Sequence, residues 1–207
     1  MIEALPMLLV LFFSIVVHEY AHGYVAYRLG DPTANDAGRL TLNPISHVDL
    51  VGSIIVPLAL VFSGSRFLFG WAKPVPINPM YFRQPMNGMA LTGGAGPASN
   101  LLLALASALI LRFAGPSLGT GIVAHMLHYG IVINVVLAVF NLMPIPPLDG
   151  SRVILPFLPE GIARFYWELE PYGMFLVIGL LVTGILGKII VPFVTILRAL
   201  FLAVAGA

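Results

Sequence analysis

His18-Glu19-Tyr20-Ala21-His22 decides how this chain is read, because it sets two imidazoles and a carboxylate directly after an uncharged apolar run, Ala4 to Val17. On a helix, residues four apart share a face, so His18 and His22 can grip one cation with Glu19 beside them. Ionisable groups at membrane depth are costly unless they have a partner or a task. Two His one turn apart with an intervening Glu is the arrangement used for zinc-dependent hydrolysis.

Composition makes the setting a bilayer. Of 207 residues, 59% are apolar and only 9% charged, and the mean hydropathy is +0.98. These values describe an integral membrane protein with little room for a soluble part. A net charge of +1 with ten Lys and Arg scattered along the chain argues against nucleic acid as a partner. There is no cysteine, so a metal site has to be built from His, Asp or Glu. The apolar start resembles a signal peptide, but it carries Glu3, lacks Lys and Arg, and runs into the His-Glu motif, so it reads as a retained transmembrane segment.

The pattern predicts an all-α polytopic protein with about four to six membrane segments, folded as one unit over residues 1–207. A first helix is expected over 4–29 and closed by Gly30-Asp31-Pro32. Residues 31–87 change character: Leu42-Asn43-Pro44, Gly70-Trp71-Ala72-Lys73-Pro74-Val75-Pro76 and Ile77-Asn78-Pro79 suit short strands and turns. Val51 to Ser63 is apolar but short and contains Pro57, which suits a re-entrant or interfacial segment. Spans are expected over 89–113 and 121–143, followed by a polar turn region from Pro144 to Tyr172 and one or two spans within 173–207.

If His18 and His22 need a third ligand, Asp149 in Pro146-Pro147-Leu148-Asp149-Gly150 is the best candidate, at the far end of the 121–143 span. The two helices must then run in the same direction with the 89–113 span reversed between them. On that topology Arg28, Arg39, Arg66, Lys73, Arg83, Arg152 and Arg164 fall on the metal's side, against Arg112 and Lys188 opposite. The positive-inside rule puts the N-terminus outside and the active site toward the cytoplasm.

Catalytic zinc takes three protein ligands and keeps a fourth position open, which His18, His22 and Asp149 satisfy with one zinc per chain. Water activated by zinc would pass its proton to Glu19 as it attacks a peptide carbonyl. Asn141 or Asn100 could steady the oxyanion or hold substrate. The Gly70 to Pro79 stretch could pair with an unwound substrate as an edge strand.

These residues resemble a known group. His18-Glu19-xx-His22 in an apolar helix, followed by Asn141-xx-Pro144-x-Pro146-x-Leu148-Asp149-Gly150, is similar to the site-2 protease family of intramembrane zinc metalloproteases. Gly96-Pro97-xx-Asn100 and the Gly70 to Pro76 stretch resemble its minimal bacterial and archaeal branch, without PDZ or CBS module. The resemblance implies that His18, His22 and Asp149 hold zinc, Glu19 activates water and Asn141 handles substrate. It also implies transmembrane protein substrates, regulated intramembrane proteolysis and a prokaryotic cell membrane.

Competing readings are a membrane metal or ion transporter, for which paired repeats with broken helices are missing, and a catalytically inactive scaffold that keeps the ligands. The metzincin extension is excluded by Val25 and Arg28. Glu160, Glu168 and Glu170 read as a solvated face rather than as ligands. His47 and Asp49 read as loop or outer-shell residues, His125 and His128 as interfacial, and Gly93, Gly94 and Gly96 as packing residues.

Overall fold

The uncharged run and the His-Glu motif lie on one helix in the computed structural model, α1, Ala4–Arg28, whose 25 residues reach about 38 Å and exceed the ~30 Å of hydrocarbon. The structure describes residues 4–56, 59, 62–63 and 71–206, the side chains of 4, 53, 54 and 116 excepted. Gly30 stops α1 at φ +106°, a conformation that side chains with a Cβ rarely adopt. Asp31 follows, fully buried, and holds the next two pieces of chain. Its Oδ1 accepts from the backbone N–H and the hydroxyl of Thr33, starting the short α2, Thr33–Asp36, and its Oδ2 accepts from the Asn78 N–H at 2.7 Å.

Residues 31–87 contain no strand among the described residues, which corrects the strand expectation. Short helical turns occupy Pro44–His47, Leu50–Ile55 and Pro79–Tyr81. Residues 71–78 are irregular and are tied down singly rather than by a ladder. The N–H groups of Trp71 and Lys73 donate to the carbonyls of Gly52 and His47, and Arg39 Nη2 donates to the Lys73 carbonyl at 2.6 Å. Pro74 and Pro76 have no N–H to offer. The donors of Val75 and Asn78 are also engaged, by Glu19 and Asp31, so the stretch is held at single points along its length. The re-entrant expectation is not supported either: Leu50–Ile55 is one short helical piece, while Pro57 lies outside the described residues, as do Arg66 and Gly70.

Three further long helices, α3 (Pro85–Leu118), α4 (Ile122–Asn141) and α8 (Ile185–Ala205), make most of the rest of the frame among the described residues. α3 and α4 pack along each other and both contact α1, and α3 also contacts α5 (Asp149–Ile154) and α8. The expected polar turn region instead carries α5 and an amphipathic helix, α6 (Glu160–Leu169), ahead of α7 (Gly173–Val182). The last apolar run divides at Gly184, whose φ of +71° lets α7 turn into α8. By length and composition, five helical stretches among the described residues can cross a membrane: 5–28, 85–115, 122–141, 160–182 and 185–205.

Burial is inverted relative to a water-soluble domain. Phe13, Phe113, Val182 and Ile196 face outward, while Ser14, Thr92, Asn100 and Asn134 are at most 2% exposed. Between lipid-facing helices there is no gain from leaving water, so close approach and interhelical hydrogen bonds carry the association. Small residues make that approach: Ala104 and Ala108 on α3 are fully buried, against Val135 and Ile131 of α4. At the start of α5, a Cβ on Gly150 would overlap the carbonyls of Leu142 and Met143. Replacing Gly150 with Ala is expected to cost about 1–3 kcal/mol and to displace Asp149; a thermal unfolding midpoint equal to that of wild type in detergent would contradict this packing.

Candidate metal centre

One turn separates His18 from His22 on α1, so both imidazoles project toward α3 and the N-terminus of α5. Their Nε2 atoms lie 2.9 Å apart. Asp149 Oδ2 completes a triangle, 3.1 Å from His18 Nε2 and 3.3 Å from His22 Nε2, and all three residues are buried. A tetrahedral zinc with bonds of roughly 2.0–2.2 Å needs ligand separations near ~3.3–3.6 Å, so the triangle is close to metal size.

The outer nitrogens establish what those three atoms are. His22 Nδ1 lies 2.7 Å from the Thr92 carbonyl oxygen, which only accepts, so Nδ1 carries the hydrogen. His18 Nδ1 lies 2.6 Å from Asn100 Oδ1 and donates likewise. In neutral imidazoles both Nε2 atoms are then bare lone pairs. Asp149 Oδ2 is buried without a hydrogen-bond partner. Two lone pairs and a carboxylate oxygen converging at buried positions repel one another unless a cation sits among them, and they form a donor set that suits zinc.

Gly96 of α3 closes the back of the triangle. A Cβ there would overlap both His22 Nε2 and His18 Nε2, so only glycine lets α3 approach the imidazole pair. Together with Asn100 one turn later, this accounts for Gly96-Pro97-xx-Asn100 as a unit: one residue makes room and the other orients a ring.

A cavity of about 470 Å³ opens on the front. Glu19, Asn141 and Asp149 line it with both His, so these five expected site residues are brought together, whereas Asn100 is fully buried behind His18. Glu19 Oε2 accepts the Val75 N–H at 3.0 Å, leaving its other oxygen for the cavity. Asn141 Nδ2 donates to the Leu137 carbonyl at 2.9 Å. Arg152 and Glu170, paired at 2.7 Å, also line the cavity, so Glu170 is not part of a solvated face. His47 is buried and donates through Nε2 to the Thr41 carbonyl, a loop role. The Val75 amide, the Thr92 carbonyl, Arg152 and the buried Ser14 and Asn134 are site residues that the sequence motifs do not mark. Ser14 was detectable, since it precedes His18 by one helical turn and shares its face.

Gly96→Ala is expected to lower zinc affinity by about 100-fold while the helical content stays that of wild type. Measurement by chelator competition decides it, and unchanged affinity would mean that α3 is not held against the imidazoles.

Comparison with known proteins agrees with this chemistry. The model of peptidase family M50 matches residues 113–183. YwhC of Bacillus subtilis (strain 168) is 37% identical over 199 residues, covering 92% of this chain and 87% of that protein. Rip2 of Mycolicibacterium smegmatis is 32% identical over 84% of this chain and 66% of its own length, and Rip2 of Mycobacterium tuberculosis (strain H37Rv) is 30% identical over 82% and 62%. The names of all three place them among zinc metalloproteases. No solved structure matches the chain significantly. With the donor set, the apolar helices and these relatives in agreement, the chain belongs to peptidase family M50, the site-2 type of intramembrane zinc metalloprotease.

Proposed function

We propose that His18, His22 and Asp149 hold the catalytic zinc, one ion per chain, and that Glu19 is the general base and then the general acid of peptide hydrolysis. The observation that carries this reading is the convergence of the two Nε2 atoms and Asp149 Oδ2 within 3.3 Å, on the wall of the cavity that Glu19 also lines. When bound, zinc polarises the carbonyl under attack and brings the pKa of water to about 7. Glu19 takes the proton of the attacking water on the oxygen that the Val75 N–H leaves free, then returns it to the departing amine. Asn141, with one amide hydrogen committed to Leu137, offers the second to the developing oxyanion. Asn100 is the weaker candidate for that role, because its carbonyl and amide ends are engaged by His18 and Asn134.

The substrates in this reading are transmembrane segments of other proteins, cut so that a regulatory part is released. The apolar share of the cavity wall, Ile15, Leu137, Phe140, Met174 and Val177, suits side chains drawn from such segments. Residues 1–207 act as one protease unit in a prokaryotic cell membrane, with the N-terminus outside and the catalytic centre toward the cytoplasm. Support for that orientation comes from Arg28, Arg39, Lys73, Arg83, Arg152 and Arg164 on the metal's side, against Arg112 and Lys188.

Glu19→Gln tests the proposal on a model transmembrane substrate. The variant is expected to bind zinc as wild type does and to cleave roughly 10²–10⁴-fold more slowly, so that uncut substrate accumulates. Zinc binding without Glu19-dependent cleavage would favour the scaffold or carrier.

A further inference from the structure

Behind the imidazoles, away from the cavity, runs a chain of buried amides that the hydrolysis itself does not use. Asn134 on α4 is 2% exposed and Asn100 on α3 fully buried. Asn134 Nδ2 donates to the Gly130 carbonyl at 2.8 Å and to Ser14 Oγ at 2.9 Å, and the Ser14 hydroxyl in turn donates to the Val10 carbonyl at 2.8 Å. Asn100 Nδ2 donates to Asn134 Oδ1 at 2.8 Å, and Asn100 Oδ1 meets His18 Nδ1 at 2.6 Å.

The direction of every bond in this chain follows from one end. Backbone carbonyls only accept, so the side of Asn134 facing Gly130 must be its NH₂ group. Its Oδ1 is thereby turned to Asn100, where it requires a donor. Asn100 must present NH₂ to Asn134 and oxygen to His18. His18 Nδ1 then has to carry hydrogen, which leaves Nε2 bare toward His22 and Asp149. A primary amide alone could not impose this, because reversed by half a turn it would present NH₂ to Nδ1 and put the hydrogen on Nε2, so that Nε2 could not take a metal between His22 and Asp149. His22 needs no such relay, since the Thr92 carbonyl faces its Nδ1 directly.

We infer that Asn134, anchored on the Gly130 carbonyl and Ser14, is a positioning residue that fixes the amide orientation of Asn100 and thereby holds His18 in the metal-binding tautomer. The relay joins α1, α3 and α4 in a lipid-embedded body where no bulk water can reorient a stray amide. It rests on the reading of His18 as a zinc ligand, and the test separates the two.

Full-length protein labelled with ¹⁵N-histidine and stripped of metal is examined by NMR in detergent, and zinc affinity is measured by chelator competition. Metal-free wild type is expected to hold His18 as the Nδ1–H tautomer. Asn134→Leu, similar in volume, is expected to populate the Nε2–H form and to weaken zinc binding about 10–100-fold. Asn100→Asp added to Asn134→Leu should recover affinity, because a carboxylate has two accepting oxygens and no wrong orientation. A purely packing role for Asn134 would lower the melting temperature without moving tautomer or affinity, and that result overturns the inference. So does an Nε2–H tautomer in metal-free wild type, an arm that requires no variant to fold. If wild type binds no zinc, the metal reading fails while the tautomer arm still decides the relay.

Discussion

Three atoms without hydrogens, two imidazole nitrogens and one carboxylate oxygen, face one another at 2.9–3.3 Å in the interior of an apolar bundle. In a medium that screens poorly, such a cluster is repulsive by itself and strongly attractive around a divalent cation. Much of the architecture serves to maintain it. α1 carries the imidazoles, α3 approaches them through Gly96 and orients them through Asn100 and Thr92, and the turn after α4 delivers Asp149. The site belongs to helix packing rather than to a loop, which suits a membrane, where irregular backbone is tolerated only against protein or a wet cavity.

Cavity and relay divide the labour around that cluster. On the front, Glu19 is steadied by one backbone N–H, Asn141 keeps a donor free, and the Arg152–Glu170 pair borders the opening. On the back, an unbroken chain of hydrogen bonds runs from the Val10 carbonyl through Ser14, Asn134 and Asn100 to His18. In the proposed enzyme, a site that must admit water and peptide on one face would thus have its ligands held rigid from the other. The irregular stretch 71–78 takes part in the same division, since the Val75 N–H donates to the Glu19 carboxylate while Asn78 is pinned by Asp31 just after α1.

The site was legible in the sequence where chemistry is encoded at short range. Two His and a Glu within one turn of an apolar helix are improbable without a task, and an Asp at the end of a later span could then be paired with them by topology alone. Asn134 and Ser14 were not recognised because their partners lie far away in the chain and depend on how α1, α3 and α4 pack. Residues 31–87 were misjudged for a different reason. Pro and Gly mark interrupted helix equally well for strands and for pinned coil, and only a partner ladder distinguishes them; Pro74, Pro76 and the single bonds to Gly52 and His47 leave none. Glu170 looked solvated because its ion pair with Arg152 joins α5 to the turn before α7, a contact that no local pattern encodes.

X-ray absorption at the zinc edge of the purified, full-length protein bears most directly on the central claim. The account predicts one zinc per chain with two imidazoles and a carboxylate oxygen at roughly 2.0–2.2 Å, and loss of the ion in Asp149→Ala. A zinc shell without imidazole, or one that Asp149→Ala leaves unchanged, would contradict it.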